Sequence, residues 1–402
     1  MARAKRYDVI VVGGGPAGAC AARAACQGGA HVMLLEEHTQ VGRPIQCTGL
    51  LSVHGIEATQ IRREHRLRAI SGVSVIAPDG ARLELGGSRV QAYVINRDRL
   101  DQQLIEDATA QGVEVRTGMK AVAWEPGRLQ ALDPTTQERL QLQAPLVIGA
   151  DGPHSRMARW AKLPRPRKFI YGLQVLVPHR PLREDAVDVR LGREVAPNFF
   201  AWAVPAGSGT ARVGLGTDSA KGAQDRLNAL LSSAYSTEIL SIQGGTIPIG
   251  LPKRTVADGL MLVGDAAGQA KPTSGGGIYT GSVCGRIAGE VAAEQIKKGD
   301  VSSKALQGYE RRWRAAFERE LTFGWHAHRL LCSLSDEQLN RIICWLAQPE
   351  VQLILEEHGD IDYPSACMKE IVRHRHLWRG LLKLIPAGTW IRAALSLSAG
   401  AD

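Results

Sequence analysis

Short continuous apolar runs, each closed by glycine or an acid, organise the chain. They are Val9–Val12 in YDVIVVGGG, Val32–Leu35 in AHVMLLEEH and Leu146–Gly149 in PLVIGADG. TVADGLMLVGDAAG repeats the pattern near residue 260. Runs of this length fit strands buried on both faces of a parallel sheet. Between the first two lies PAGACAARAACQGG, a small-residue helix closed by Gly28 and Gly29. Strand, helix and strand within about 30 residues make a βαβ unit.

Elsewhere the pattern alternates. GVSVIAPDGARLELGG carries a PDG turn and predicts a hairpin. NRDRLDQQLIEDATAQG predicts an amphipathic helix with Leu100, Leu104 and Ile105 on one face. Short strands follow up to residue 146, and residues 170–250 predict antiparallel strands. TGSVCGRIAGEVAAEQIKKG predicts a helix, and from about residue 300 the chain is helical, rich in Arg, Trp and Leu. The expected fold is α/β. A Rossmann-type dinucleotide domain is assembled from residues 1–65, 96–168 and 255–300. An antiparallel-sheet substrate domain is inserted as 66–95 and 169–254, and 301–402 is a C-terminal helical region.

Composition narrows the setting. At 402 residues the chain needs two or three structural units. The charge of +9 suits a dinucleotide phosphate, an anionic membrane surface or nucleic acid equally. No zinc-type cysteine pairs and no basic low-complexity tail point to nucleic acid, and no metal site is expected. The seven scattered cysteines suggest a reducing compartment rather than a disulfide framework, hence a cytoplasmic protein, free or peripherally attached to a membrane. No uncharged stretch reaches the roughly 20 residues of a membrane span. The apolar N-terminus is broken by glycine and proline, so it reads as a nucleotide motif rather than a signal peptide.

Three segments carry chemistry. In Gly13-x-Gly15-x-x-Gly18, Gly13 serves the tight turn, Gly15 the approach of a pyrophosphate and Gly18 close helix packing. Glu36 ends the second strand where an acid accepts from a ribose hydroxyl; Glu37 is the alternative. In LVIGADGPHSRMAR, Asp151 and Gly152 follow a buried strand. In GLMLVGDAAGQAKPTSGGGIYTG, Asp265 ends a strand, and Gly275, Gly276 and Gly277 open a helix whose amides could face a flavin carbonyl.

Together these segments resemble the three FAD motifs of the p-hydroxybenzoate-hydroxylase-like flavoproteins, over roughly residues 5–300. Within that group the chain resembles the geranylgeranyl reductase family. Arg43 and Cys47 in GRPIQCTG carry the likeness, as does PNFFAWAVP, which is similar to the family's P-x-x-Y-x-W-x-F-P. Pro197, Trp202 and Pro205 match, while Phe200 and Val204 replace Tyr and Phe. The resemblance implies FAD held by the Ala17 backbone, Glu36, Arg43, Cys47, Thr48, Leu50, Arg97 at the pyrophosphate, the Ala121 backbone at the adenine, Asp265, Gly277 and Ile278. Cys47, Trp202 and Phe200 are the expected catalytic residues. Cys47 has two readings, a small packing thiol or a flavin-side acid, and Trp202 could be plain core.

The implied reaction is reduction of isolated double bonds in a geranylgeranyl chain of a lipid, quinone or chlorophyll-type precursor. Such alkenes are not polarised, so proton and hydride must be delivered together. The electron donor is expected to be NADPH or a reduced ferredoxin, the latter an electron-donor protein partner. Rival readings are a flavin monooxygenase or halogenase, a quinone-linked dehydrogenase and a non-catalytic redox sensor. The C-terminal KEIVRHRHLWRGLLKLIPAGTWIRAALSLS interleaves basic residues with Trp378, Leu381, Leu382, Leu384, Ile385 and Trp390. It suits either an anionic membrane surface or packing on its own domain.

Overall fold

The computed structural model describes residues 5–87, 89–179 and 183–384. The buried apolar runs form the centre of a six-stranded sheet. Its order is Val256–Ala257, Leu260–Leu262, Leu146–Gly149, Val9–Val12, Val32–Leu35 and Glu114–Arg116. All neighbours are parallel except the first pair, a hairpin at one edge. Val9, Ile10, Val11, Val32, Leu34, Leu146 and Ile148 are fully enclosed, because helices cover one face and the antiparallel strands Lys120–Glu125, Arg128–Leu132 and Arg139–Gln143, with Met157 and Ala158, cover the other.

The helices are α1 (Pro16–Gln27), α2 (Val53–Thr59), α3 (Arg97–Ala110), α4 (Arg156–Trp160), α5 (Ala223–Ala234) and α6 (Ile278–Lys298). They continue as α7 (Ser303–Ser333), α8 (Asp336–Leu346), α9 (Pro349–His358), α10 (Ser365–Arg373) and α11 (Arg375–Leu384). Helices α1 and α6 cross at backbone contact distance. A Cβ on Gly285 would strike the Ala17 carbonyl, and one on Gly289 the Ala21 carbonyl. This crossing sets the starts of both helices side by side at the end of the sheet where its strands finish.

The inserted strands form a seven-stranded sheet. Its order is Ser241–Ile249, Lys168–Pro178, Thr210–Thr217, Ala201–Gly207, Ala186–Arg190, Gly72–Ile76 and Arg82–Gly86. The expected hairpin is the pair Gly72–Ile76 and Arg82–Gly86. One junction departs from the antiparallel expectation: Ala186–Arg190 runs parallel to Gly72–Ile76. The two strands come from separate insertions, so no short turn forces them antiparallel. Residues 92–95 pair with 66–70 on one side and with Leu50–Ser52 on the other in a small three-stranded sheet. The chain therefore passes between the two large sheets on a bridge of its own.

The C-terminal region is helical as far as Leu384, and the rest of the expected helical region lies outside the described residues. α7 lays Leu306, Tyr309, Trp313, Phe317 and Leu321 into the core against the six-stranded sheet. The Tyr309 hydroxyl donates to the Leu262 carbonyl at 2.7 Å and accepts from Gln269 at 3.0 Å. Helices α8–α11 close a separate apolar cluster around Trp345, Val351, Ile354, Ile371, Leu377 and Leu381. No helix among the described residues is long and apolar enough to cross a membrane.

Candidate functional site

The fingerprint turn leaves the strand Val9–Val12 at Gly13. There φ is +109°, and a Cβ would collide with the Ala150 carbonyl, so glycine is required. Gly15 differs. Its backbone is extended, with φ −69° and ψ 177°, and a Cβ there would touch nothing within 4 Å. It caps α1 without any side-chain hydrogen bond, which leaves the first amides of α1 open to an anion. Glu36 lies against this turn. One carboxylate oxygen accepts from the Gly14 amide at 2.7 Å, and the other accepts from the His38 amide at 2.9 Å and faces His38 Nδ1 at 2.6 Å. Glu37 points elsewhere and pairs with Lys120 at 2.7 Å. Of the two acids, Glu36 is the one beside the fingerprint.

Next to it, Arg97 opens α3 and pairs with Asp101 one turn on. Neither is at the surface: their side chains are 15% and 7% exposed. Arg97 Nε and Asp101 Oδ1 are buried without hydrogen-bond partners. Burial alone would lower the Arg97 pKa; Asp101, and beyond it Cys47 and Asp265, reverse this and raise it. Burial also pushes Asp265 up to about 6, only partly opposed by Arg97. Asp265 lies beneath the Gly275–Gly277 run, its Oδ1 2.9 Å from where a Gly277 Cβ would stand. Gly277 caps α6 and Ile278 begins it, again with no side-chain cap.

The loop carrying Cys47 connects this site to the seven-stranded sheet. The Gly49 amide donates to Cys47 Sγ at 3.3 Å. The Thr48 hydroxyl donates to Gln174 Oε1 at 2.8 Å, and Trp202 Nε1 donates to the same oxygen at 3.2 Å. Gln174 Nε2 in turn donates to Gln243 at 2.7 Å. Arg212 donates to the Thr48 carbonyl from below. Its pKa is lowered by burial, with Cys47 opposing that shift. The guanidiniums of Arg97 and Arg212 both lie within electrostatic range of the thiol. The aromatic wall continues from Trp202 to Phe200 at 6.0 Å and to Phe199, stacked on Phe200 at 4.2 Å. Phe199 is buried and reaches the Gly275 turn, where Ile247 also packs.

The other expected residues fall at various distances from this junction. Leu50 begins the bridge sheet, and Ala121 is buried in the strand Lys120–Glu125. Arg43 is more than half exposed and pairs with Asp98 at 3.2 Å. The Asp151 carboxylate is committed to α4, accepting from Ser155 Oγ at 2.6 Å and from the Arg156 and Met157 amides. Gly152 follows it with φ +76°. Sequence reasoning missed Asp101, Gln174, Arg212 and Phe199. A glutamine inside the apolar run GLQVLV was the available signal for Gln174, and an acid four residues after Arg97 the signal for Asp101.

The donor set fits FAD. The amides at the start of α1 and the open space at Gly15 suit a pyrophosphate. Glu36 suits a ribose, and the unpartnered atoms of Arg97 and Asp101 are buried polar groups that need a ligand. Comparison with known proteins agrees. Residues 6–323 match the model of an FAD binding domain. The fold and site define an FAD-dependent oxidoreductase. The digeranylgeranylglycerophospholipid reductase 2 of Methanopyrus kandleri is 34% identical over 358 residues, 84% of this chain and 89% of that one. A geranylgeranyl bacteriochlorophyll reductase-like protein from Thermoplasma acidophilum superposes with TM-score 0.84 at 27% identity, covering 95% of this chain and all of that one. The chain belongs to the geranylgeranyl reductase family. The flavin-dependent halogenase CmlS shares the fold at TM-score 0.68 but only 17% identity, covering 92% of this chain and 78% of that one.

Proposed function

We propose that this chain reduces isolated double bonds in the geranylgeranyl chains of a membrane lipid, with a prenylated glycerophospholipid the favoured substrate class. The observation that carries this reading is the junction at Gln174. One buried side chain ties the Cys47–Thr48 loop to Trp202, and an aromatic wall of Trp202, Phe200 and Phe199 runs from there to the glycine turn at Gly275. A long apolar substrate needs such a wall, and a polar substrate would not.

Bound FAD would supply the hydride chemistry. The protein's residues do the rest. The α1 amides and Arg97 would hold the pyrophosphate, Glu36 the ribose, and Asp265 with the start of α6 the ring end. Trp202, Phe200 and Phe199 seat the prenyl chain and exclude water. Cys47 Sγ, in the loop tied to this wall through Thr48 and Gln174, is the group that would hand the alkene its proton. Electrons come from NADPH or a reduced ferredoxin. Membrane contact is made by the exposed basic face of α11.

Anaerobic incubation of the reduced protein with a prenyl phospholipid, followed by mass spectrometry, tests this reading. Each reduced bond adds two hydrogens to the lipid. Unchanged lipid mass would overturn the assignment, and oxygen insertion or steady peroxide formation in air would favour a monooxygenase instead. Supplying NADPH and reduced ferredoxin separately identifies the donor.

A further inference from the structure

The segment between α9 and α10 reaches across the molecule to the Gly275–Gly277 run. Lys271 Nζ pairs with the Asp362 carboxylate and donates to the Ile361 carbonyl at 3.3 Å. The two side chains are 10% and 1% exposed. Asp360 accepts the Asp362 and Tyr363 amides and faces His54 Nε2 at 3.1 Å. The Tyr279 and Tyr363 hydroxyls meet at 2.8 Å, and the His54 ring stacks on Tyr279. The contacts of Lys271, His54 and Tyr279 join residues 360–363 to the turn before α6, to α2 and to the start of α6.

Lys271 is also part of that turn. Its amide donates to the Gly276 carbonyl at 3.0 Å, and its carbonyl accepts from the Gly275 amide at 2.8 Å. Its Cε lies 3.1 Å from where a Gly276 Cβ would stand, and its Nζ 3.5 Å. A buried cation thus rests against the glycine run, balanced by one oxygen of Asp362. The other oxygen, Oδ2, is buried without a partner. A buried ion pair is weak evidence for stability, since an apolar pair often does as well. Its placement at the cofactor turn points to an electrostatic task.

We propose that Lys271 and Asp362 are positioning residues that set the electrostatic potential at the flavin ring, so that the C-terminal helices tune the cofactor. This rests on the reading that Gly275–Gly277 faces the ring. Reduction adds negative charge to the flavin, so a nearby cation favours the reduced form and a nearby anion opposes it. Within the pair the two charges nearly cancel. Removing either one leaves the other uncompensated beside Asp360 and His54.

The test is the flavin midpoint potential of FAD-loaded protein, measured by anaerobic dye equilibration. Lys271→Met should lower the potential and Asp362→Asn should raise it. Lys271→Met/Asp362→Leu should return it close to the original value. A structural role alone would move both single variants the same way. Shifts of the same sign, or none, overturn the proposal. Should Asp362→Asn not fold, Lys271→Arg carries the test: it keeps the charge and should keep the potential that Lys271→Met lowers, and equal potentials in the two overturn the proposal. Gly276→Ser separates the two readings. If it alters the flavin absorption spectrum while the charge variants leave the potential unmoved, only this inference fails. If none of them alters spectrum or potential, the assignment of the run to the ring fails as well.

Discussion

Gly15 and Gly13 look alike in the sequence but do different work. Gly13 is needed by the protein itself, since a side chain there would strike the Ala150 carbonyl. At Gly15 the backbone is ordinary and the space is open, so the only thing a side chain would meet is the ligand. Gly15→Val should therefore fold with an unchanged thermal midpoint when flavin-free, yet purify without FAD. A yellow Gly15→Val protein would remove the pyrophosphate from this turn. Asp265 gives a second test at this scale. Its carboxyl ionises near the ordinary 3.8 in the unfolded chain and near 6 in the flavin-free fold, because burial disfavours the charge. Between those values the folded state holds more protons, so stability falls as pH rises, and above about 6 the loss is constant. Asp265→Asn should stabilise the flavin-free protein at about pH 7 by about 2–3 kcal/mol at most. The gain should vanish below about pH 4. A gain of equal size at both pH values, read by calorimetry, would mean the charge is not its source. Cys47 completes the residue scale. Serine keeps its size but not its acidity. Cys47→Ser should keep FAD and slow single-turnover flavin reoxidation by a prenyl substrate by roughly 10–100-fold. Equal rates would leave the thiol as packing.

At the scale of elements, the buried runs were legible because parallel strands covered on both faces leave continuous apolar stretches with no alternative use. The strand at Leu146–Gly149 has the residues expected, and so do the hairpin and the amphipathic helix at Leu100 and Leu104. The bridge sheet was not legible. Arg66–Ile70 alternates like any edge strand, and nothing local states that its partner is Ala92–Ile95. The site divides in the same way. Motifs whose spacing is set by one turn, such as Gly13–Gly18, are written locally. The meeting of Thr48 with Gln174 and Trp202 joins a loop to strands more than a hundred residues later and depends on how that loop is set against their sheet. Gln174 is the residue on which that meeting rests. Gln174→Leu leaves the Thr48 hydroxyl and the Trp202 indole without their shared acceptor. FAD affinity should stay the same, since no pyrophosphate or ribose contact is touched, while prenyl reduction should fall by roughly 10–100-fold through misplacement of the wall. Unchanged turnover would show that Trp202 is held by packing alone.

At the scale of the whole molecule, the question is how an enzyme without a membrane-crossing helix among its described residues meets a lipid. The interleaved C-terminal sequence allowed two answers, and α11 divides between them. Leu377 and Leu381 are buried against Trp345, Val351 and Ile371, so its apolar face serves its own domain. Arg375, Arg379 and Lys383 stay exposed on the other face, while Ile385, Trp390 and the rest of the segment lie outside the described residues. Deleting the chain from residue 371 would uncover the α8–α11 cluster and confuse unfolding with lost binding. Charge reversal avoids this. Basic residues near an anionic bilayer contribute about 1 kcal/mol each. Arg375→Glu, Arg379→Glu and Lys383→Glu together should thus weaken binding to phosphatidylglycerol vesicles by roughly a hundredfold or more at low salt. Binding of the unaltered protein should fall as salt shortens the screening length to about 10 Å at 0.1 M. The variant should retain its flavin spectrum, and vesicles of neutral lipid should not distinguish the two proteins. If the unaltered protein ignores anionic vesicles at low salt, α11 is not a membrane surface, and the lipid must reach the aromatic wall by another route.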